Sequence, residues 1–350
     1  MGAAGVLPSA AATASVPKVV SHTSQVPISL AHAGSTGTVY VLSSSCWPSS
    51  CLELARTTDL GAHETTTTPP PVSRRDQLPR LFFATPNDGF AIVDTLTGEL
   101  TVFYATIDGG ETWSRSSVGR GQSIVSFTAM PQSYYAVIAT CPPRQPCRSY
   151  RLARSPVTAV RWTSRGLSNQ AGLSQSGAEV AAVGVHVWLS EWTAKDVPLL
   201  ATSTNRGASF RLEVQPHLGA VTACYLSATS AASLWATCPT GTLVSFLHST
   251  DGGATWQFLP LPLTAGTGGY QFDPVAGDVA YLAHGFNHGV YRMSGVDTVA
   301  KVGQLPATQA AGLVFTNARD GLAIGGVGNS GFRLLLLRTT TGGASWRAVP

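Results

Sequence analysis

A repeated segment containing acidic and hydroxyl side chains is the first candidate for chemistry in this chain. Its pattern is Ser/Thr-x-Asp-x-Gly-x-Ser/Thr-Trp/Phe, and TIDGGETW is the clearest copy. The defining residues are Thr106, Asp108, Gly110 and Trp113; Ser203, Asn205, Gly207 and Phe210; Ser249, Asp251, Gly253 and Trp256; and Thr339, Thr341, Gly343 and Trp346. Side chains of Ser, Thr and Asp can accept hydrogen bonds from nearby backbone amides, glycine permits positive φ, and the aromatic residue can be buried. These residue types therefore predict a structural turn rather than an active site.

Four other acidic residues could do chemistry, because glycoside hydrolysis generally uses two carboxylates that flank the scissile bond. The weak catalytic candidates on predicted loops are Asp94, Glu99, Glu191 and Asp196. The alternative is that they are solvated surface charges.

A second set of loop residues could bind a partner, because aromatic and arginine side chains favour interfaces. This set is Trp47, Arg144, Trp192, His284, Phe286 and His288. Packing in the core or between blades is the alternative for each. The two histidines lie four residues apart, but a loop gives that spacing no fixed geometry and no third ligand is identifiable, so we expect no metal. The sequence has no phosphate-binding or dinucleotide fingerprint, and we expect no cofactor.

The six cysteines form three local pairs: Cys46 and Cys51, Cys141 and Cys147, and Cys224 and Cys238. Their spacing is unlike that of zinc knuckles, so disulfides are favoured over metal ligation, with free thiols as the alternative. Disulfides predict an extracytoplasmic protein, secreted or on the cell surface, although the first 17 residues do not form a convincing signal peptide.

Short apolar segments bounded by turn residues recur along the chain and predict strands. The clearest second strands of the repeating unit are Thr38–Leu42, Gly89–Val93, Tyr134–Ala139, Val183–Leu189, Leu234–Thr237, Val279–Ala283 and Gly321–Gly325. The copies of the repeated segment lie about 46 residues apart or about twice that. Degenerate copies fill the two long gaps near 156 and 296, and one more, near 59, precedes the first clear copy by one period. Seven units of four strands each predict an all-β fold, a seven-bladed antiparallel β-propeller.

The predicted blades are 28–78, 79–121, 122–168, 169–217, 218–264, 265–306 and 307–350, after a mobile N-terminal tail at 1–27. The segment Gly61–Arg80 is rich in Thr and Pro, and we expect an exposed loop rather than a strand there. The ring could close by packing of the first blade on the last, or through an N-terminal strand such as Lys18–His22.

Composition limits the partners. Only 11% of the residues are charged and the net charge is +4, with no concentrated basic stripe, so we expect no nucleic-acid partner. No segment approaches the roughly 18 apolar residues of a membrane span, and we expect a monomer without a transmembrane segment.

The repeated residues resemble the Asp-box, or bacterial neuraminidase repeat (BNR), family, and the resemblance covers nearly the whole chain after about residue 28. The family includes sialidases and other glycosidases, sortilin-type receptors and the photosystem II assembly-factor family. It implies that the boxes are structural and lie opposite the usual ligand face. A sialidase would also have an early Arg-Ile-Pro motif, three converging arginines and a Tyr/Glu pair, and this sequence lacks these signals.

The sequence therefore favours a non-catalytic extracytoplasmic module that binds a glycan, peptide or protein through the loop face. The alternative is a sialidase-like glycoside hydrolase acting on extracellular glycans, and a third possibility is an assembly factor.

Overall fold

The structure, a computed structural model, describes residues 26–34, 36–45, 51–72, 79–94, 101–119, 121–142, 147–158, 161–166, 178–192, 198–214, 224–240, 243–260, 269–285, 288–295, 297–327 and 333–349. Residues 1–25 of the predicted tail lie outside the described residues. No described residue belongs to a helix that is long and apolar enough to cross a bilayer.

The described strands form seven antiparallel sheets of four, each built from consecutive strands. The first three sheets are β1 (Val26–His32), β2 (Val39–Ser44), β3 (Leu52–Thr57) and β4 (Thr65–Thr67); β5 (Arg80–Phe83), β6 (Gly89–Asp94), β7 (Thr101–Thr106) and β8 (Ser114–Ser117); and β9 (Gln122–Met130), β10 (Ser133–Thr140), β11 (Arg148–Pro156) and β12 (Thr163–Gly166).

The remaining four sheets are β13 (Ala178–Val183), β14 (His186–Trp192), β15 (Pro198–Ser203) and β16 (Arg211–Val214); β17 (Tyr225–Ala228), β18 (Leu234–Thr240), β19 (Leu243–Ser249) and β20 (Gln257–Phe258); β21 (Tyr270–Ala276), β22 (Val279–His284), β23 (Gly289–Ser294) and β24 (Thr298–Gln304); and β25 (Gln309–Phe315), β26 (Gly321–Val327), β27 (Arg333–Thr339) and β28 (Arg347–Ala348). The molecule is a seven-bladed β-propeller, as the spacing predicted.

Burial follows the order of strands within a blade. The second strand is covered on both faces by neighbouring blades, so β10 is buried over nearly its whole length, whereas β20 at the outer edge is exposed. The apolar cores lie between blades rather than within them. For example, Tyr40 of β2 stacks on Phe83 of β5 with ring centroids 3.5 Å apart.

The ring closes by packing of the first blade against the seventh. Val39 and Val41 of β2 share a buried cluster with Leu322 and Ile324 of β26 and with Val349 after β28. Both sheets contain only strands that are consecutive in the chain. The alternative closing strand, Lys18–His22, lies outside the described residues.

Two sequence expectations need correction. Gly61–Arg80 is not wholly a loop, because Thr65–Thr67 forms β4 and pairs with β3. An outermost strand needs backbone pairing rather than apolar side chains, and the β-branched threonines favour extended backbone. The predicted strand Val183–Leu189 begins too early, because Val183 ends β13 and the chain turns at Gly184 with a φ of 60° before β14.

Each propeller face has its own set of connections. Turns from the first to the second strand and from the third to the fourth strand of each blade lie at one end, which we call the turn face. Turns from the second to the third strand and the connections between blades lie at the other end, which we call the disulfide face.

Candidate functional site

The repeated segments form hydrogen-bonded turns on the turn face, between third and fourth strands. In the second blade, Thr106 Oγ1 donates to Asp108 Oδ1 at 2.7 Å and accepts from the Gly110 N–H at 2.9 Å. Asp108 also accepts from the N–H of Thr112 at 2.9 Å and from its hydroxyl at 2.6 Å. Desolvation alone would raise the pKa of Asp108, but hydrogen bonds from Thr112 and Thr106 bring it below its usual value.

Four other turns repeat this arrangement with different acceptors. The N–H of the glycine is bonded to the first hydroxyl at Gly61, Gly207, Gly253 and Gly343, at 2.8, 3.0, 2.8 and 3.1 Å. Asn205 and Thr341 take the place of the Asp by accepting from the backbone N–H of Ser209 and Ser345, both at 2.9 Å. The turn of the first blade, degenerate in sequence, uses Asp59 and His63. These hydrogen bonds give the turn residues a structural role.

The aromatic residue that ends each repeated segment packs against the preceding blade. Trp256 lies in a cluster with Leu200 and Trp188 of the fourth blade and is 8% exposed. Trp113 contacts the cluster shared with the first blade, and its Nε1 donates to the Thr68 carbonyl at 2.8 Å. The aromatic residue of each turn therefore packs one blade against the blade before it.

Both described disulfides lie on the opposite end, the disulfide face. Cys141–Cys147 closes the turn between β10 and β11, and Cys224–Cys238 ties the start of β17 to β18. Two of the three predicted pairs are thus present. Cys51 is also disulfide-bonded, and its predicted partner Cys46 lies outside the described residues.

An exposed tyrosine lies beside the second disulfide. Tyr225 follows Cys224 directly and is 56% exposed. Tyr270 is the first residue of β21, the innermost strand of the next blade, and its pKa is raised by burial and by the neighbouring Tyr225. His284 pairs with Tyr270 across β21 and β22 and is buried. Burial and the charge of His288 lower the pKa of His284, so the ring is neutral at pH 7.

The predicted loop residues fall into two groups. Trp47, Arg144, Phe286, Glu99 and Asp196 lie outside the described residues. Asp94, Glu191 and Trp192 end β6 and β14 on the disulfide face, and their side chains lie outside the described part of the chain.

The structure brings two of the predicted binding residues, His284 and His288, near one another. His288 has a φ of 54°, and its Nδ1 is buried without a hydrogen-bond partner. Within the described ranges, no cluster of three or more His, Cys, Asp or Glu side chains could hold a metal ion.

The innermost strands surround a central cavity of about 420 Å³. Each of the seven strands contributes, and the lining residues include Leu30, His32, Phe82, Phe83, Phe127, Val180, Leu226, Ala228, Asp273 and Val314. His32, Phe83 and Ala228 are the last residues of their strands, so the cavity extends to the turn face.

Two carboxylates on the innermost strands were missed by the sequence reasoning. Burial raises the pKa of Glu179 to about 7, although a 2.6 Å hydrogen bond from the Ser126 hydroxyl and the charge of Arg80 oppose the shift. Burial likewise raises the pKa of Asp273 to about 7. Both acids lie within apolar first strands, in AEVAAV and YQFDPVA. An acidic residue inside an apolar strand segment is the sequence signal that could have indicated these buried carboxylates.

Solved structures resemble this chain in fold. No family model matches the sequence, and no curated protein matches it significantly. The β-propeller domain of the Trilobed protease from Pyrococcus furiosus is 7% identical, with 94% of this chain and 96% of that chain covered and a TM-score of 0.61. A Mycobacterium tuberculosis puromycin-hydrolyzing peptidase is 14% identical, with 93% and 53% covered and a TM-score of 0.56.

A structure of YCF48 bound to D1 peptide is 16% identical, with 81% of this chain and 82% of that chain covered, and its TM-score is 0.48. At these identities, the likeness to the two protease structures supports the β-propeller fold alone.

Proposed function

We propose that this propeller is a non-catalytic binding module that recognises a glycan, peptide or protein on its disulfide face. The observation that carries the proposal is the position of Tyr225, an exposed aromatic residue directly after Cys224 of the Cys224–Cys238 disulfide. A disulfide beside a contact residue lowers the entropy lost on binding, and tyrosine offers an apolar ring and a polar hydroxyl together.

The neighbouring side chains suit recognition of a neutral polar partner. Tyr270 lies near Tyr225, and the two phenol hydroxyls can exchange hydrogen bonds with hydroxyl or amide groups of a partner. We include the predicted residues Trp47, Arg144, Trp192, Phe286 and His288 in the proposed surface, because in the sequence each falls at the end of a second strand or between the second and third strands of its blade.

We assign the five hydrogen-bonded turns to the Asp-box type and the protein to an extracytoplasmic compartment. The turn assignment is supported by the common hydrogen bonds of Asp59, Asp108, Asn205, Asp251 and Thr341. The compartment is supported by the disulfides, which persist in oxidising surroundings.

Binding is tested with glycan and peptide arrays probed with the oxidised protein, followed by the same arrays after mild reduction. We expect saturable binding to one class of ligand, weakened at least fivefold when the disulfides are reduced while the propeller remains folded by circular dichroism. Absence of binding from both arrays, and from pull-downs of surface proteins, would overturn the proposal.

A glycoside hydrolase is the second candidate, favoured by the raised pKa values of Glu179 and Asp273. A general acid needs a carboxyl group that stays protonated near neutral pH. Fluorogenic glycosides provide the test, with Glu179→Gln as the inactive variant. Turnover by the wild type that this substitution abolishes would establish the hydrolase and displace the binding role.

A further inference from the structure

We propose that a cleft between the third and fourth blades binds a small tetrahedral oxyanion, phosphate or sulfate, free or as the terminal group of a larger molecule. The cleft is formed by strands β11 and β12 of the third blade and by residues 205–208, the turn from β15 to β16 of the fourth. This turn lies on the turn face, opposite the disulfide face. The outcome of a test of this site is therefore independent of the proposed function.

The size of the cleft suits a small charged group rather than a whole ligand molecule. Its volume of about 140 Å³ is below the roughly 300–1,000 Å³ of pockets that enclose drug-sized ligands. It is also about tenfold larger than the roughly 10–15 Å³ that one water needs. A five-atom oxyanion therefore fits together with hydrating water.

The charged side chains that line the cleft are all positive. Arg154 of β11 and Arg206 of the turn contribute to the lining, and no Asp or Glu among the described residues does. Both charges act on the same buried group, because burial raises the pKa of Tyr135 and the charges of Arg154 and Arg206 oppose that rise. An anion between two guanidinium groups offsets their repulsion.

The geometry of arginine selects the kind of anion. A guanidinium group presents a planar fork of N–H donors that matches the oxygens of a phosphate group. A doubly charged tetrahedral anion balances both arginines and directs oxygens toward each of them. A carboxylate carries one charge and has two oxygens in one plane, so we expect it to bind more weakly.

Arg154 is held in position by contacts within its own blade. Its Nε and Nη2 donate to Ser133 Oγ at 3.1 and 3.0 Å, and its guanidinium group lies over the ring of Tyr135, 5.8 Å from the centroid. No described residue accepts a hydrogen bond from its Nη1. The side chain is thus ordered before an anion arrives and loses little entropy on binding.

Arg206 occupies a position that the turn geometry itself fills better with glycine. The equivalent residues of three other turns are Gly109, Gly252 and Gly342, all with positive φ. Arg206 adopts the same conformation, with a φ of 60°, and its N–H donates to the Val185 carbonyl at 2.8 Å. This left-handed backbone is unfavourable for a residue with a side chain. The arginine is therefore not required by the turn.

The other turns show what is unusual about this one. Leu60 is the non-glycine residue at the same position of the first blade, and its side chain is buried in the cluster that closes the ring. The side chain of Arg206 is exposed and has no hydrogen-bond or ion-pair partner among the described residues. The turn also has Asn205 where three others have Asp, as at Asp108. It therefore lacks the negative charge that would repel an anion.

Phosphorus NMR on the full-length protein tests the site at pH 8, where phosphate groups are mostly doubly charged. Line broadening of inorganic phosphate and of glucose 6-phosphate measures binding at constant ionic strength, and sulfate and acetate are added as competitors. We expect saturable phosphate binding, displacement by sulfate and at least tenfold weaker displacement by acetate. Binding of the ester as well assigns the site to a terminal group, and binding of phosphate alone assigns it to the free anion.

Arg206→Gly is the informative variant, because it introduces the residue that three other turns have at this position. We expect phosphate binding at least tenfold weaker, with an unchanged or higher unfolding free energy. Arg154→Gln should weaken binding at least fivefold. Arg347→Gln removes the same charge from the exposed outer strand β28 and is the control.

Three results would each overturn the proposal. The first is phosphate broadening by the folded wild type that is absent or does not saturate. The second is phosphate binding that Arg206→Gly leaves unchanged. The third is displacement by acetate as strong as displacement by sulfate.

Discussion

Asp273 Oδ2 accepts a 2.5 Å hydrogen bond from the backbone N–H of Phe315, and this contact joins the innermost strand of the sixth blade to that of the seventh. Ser126 and Glu179 make a comparable contact between the third and fourth blades at 2.6 Å. Buried carboxyl groups thus connect neighbouring blades close to the propeller axis, in addition to the apolar packing that connects them farther out.

These two acids predict a pH-dependent stability. Burial raises each pKa to about 7 from ordinary values of 4.5 for Glu179 and 3.8 for Asp273. The folded protein then binds more protons than the unfolded chain between about pH 4 and 7. The stability they contribute is fully present below about pH 4 and is lost as pH rises through 7.

Chemical denaturation across pH 4.5–8 measures this effect. In the double variant Glu179→Gln with Asp273→Asn, the unfolding free energy relative to wild type should be higher at pH 8 than at pH 4.5. The expected change is on the order of 2 kcal/mol for each acid. The comparison with wild type is essential, because His32 and His248 have lowered pKa values and titrate in the opposite sense. A difference between variant and wild type that does not change with pH would refute the assignment.

Removing the acid of one repeated turn should weaken the fold without affecting binding. In Asp108→Ala, the N–H and hydroxyl of Thr112 lose their acceptor, which we expect to cost about 1–2 kcal/mol in unfolding free energy. Asp108→Asn should cost less, because Asn205 makes the equivalent contacts in the fourth blade. If Asp108→Ala abolished ligand binding in a folded protein, the turn would have a functional role.

The two described disulfides should differ in their effect on stability. Cys224–Cys238 spans 14 residues and Cys141–Cys147 spans 6. On the chain-entropy model, removal of the disulfide that closes the longer loop lowers the unfolding free energy by about 3 kcal/mol, and removal of the other lowers it by about 2 kcal/mol. Paired Cys→Ala variants in urea titrations measure both, and equal or reversed losses would contradict the chain-entropy estimate.

Periodic features made the fold predictable from the sequence. The spacing of segments such as Thr106–Trp113 predicted seven blades, and apolar second strands such as Tyr134–Ala139 were placed correctly. Local hydrogen bonding and burial determine these features, so they are visible in short windows of sequence. Thr65–Thr67 was missed because an outer strand depends on backbone pairing.

The candidate sites were far less predictable. The cavity combines one or a few residues from each of seven strands, and no local pattern reports which of them converge. Asp273 looks like any isolated acid until Phe315, distant in sequence, is placed beside it. Tyr225 carried no signal beyond its position after Cys224.

The proposed function is tested most directly by the affinity for the strongest array ligand. Surface plasmon resonance measures it on the wild type and on two variants that each lose one aromatic ring. Tyr225→Ala removes the exposed ring on the disulfide face, and Phe258→Ala removes a ring of similar exposure, 54%, on the outermost strand β20. The proposal predicts at least a tenfold weaker affinity for Tyr225→Ala and an unchanged affinity for Phe258→Ala. Wild-type affinity in Tyr225→Ala would contradict it.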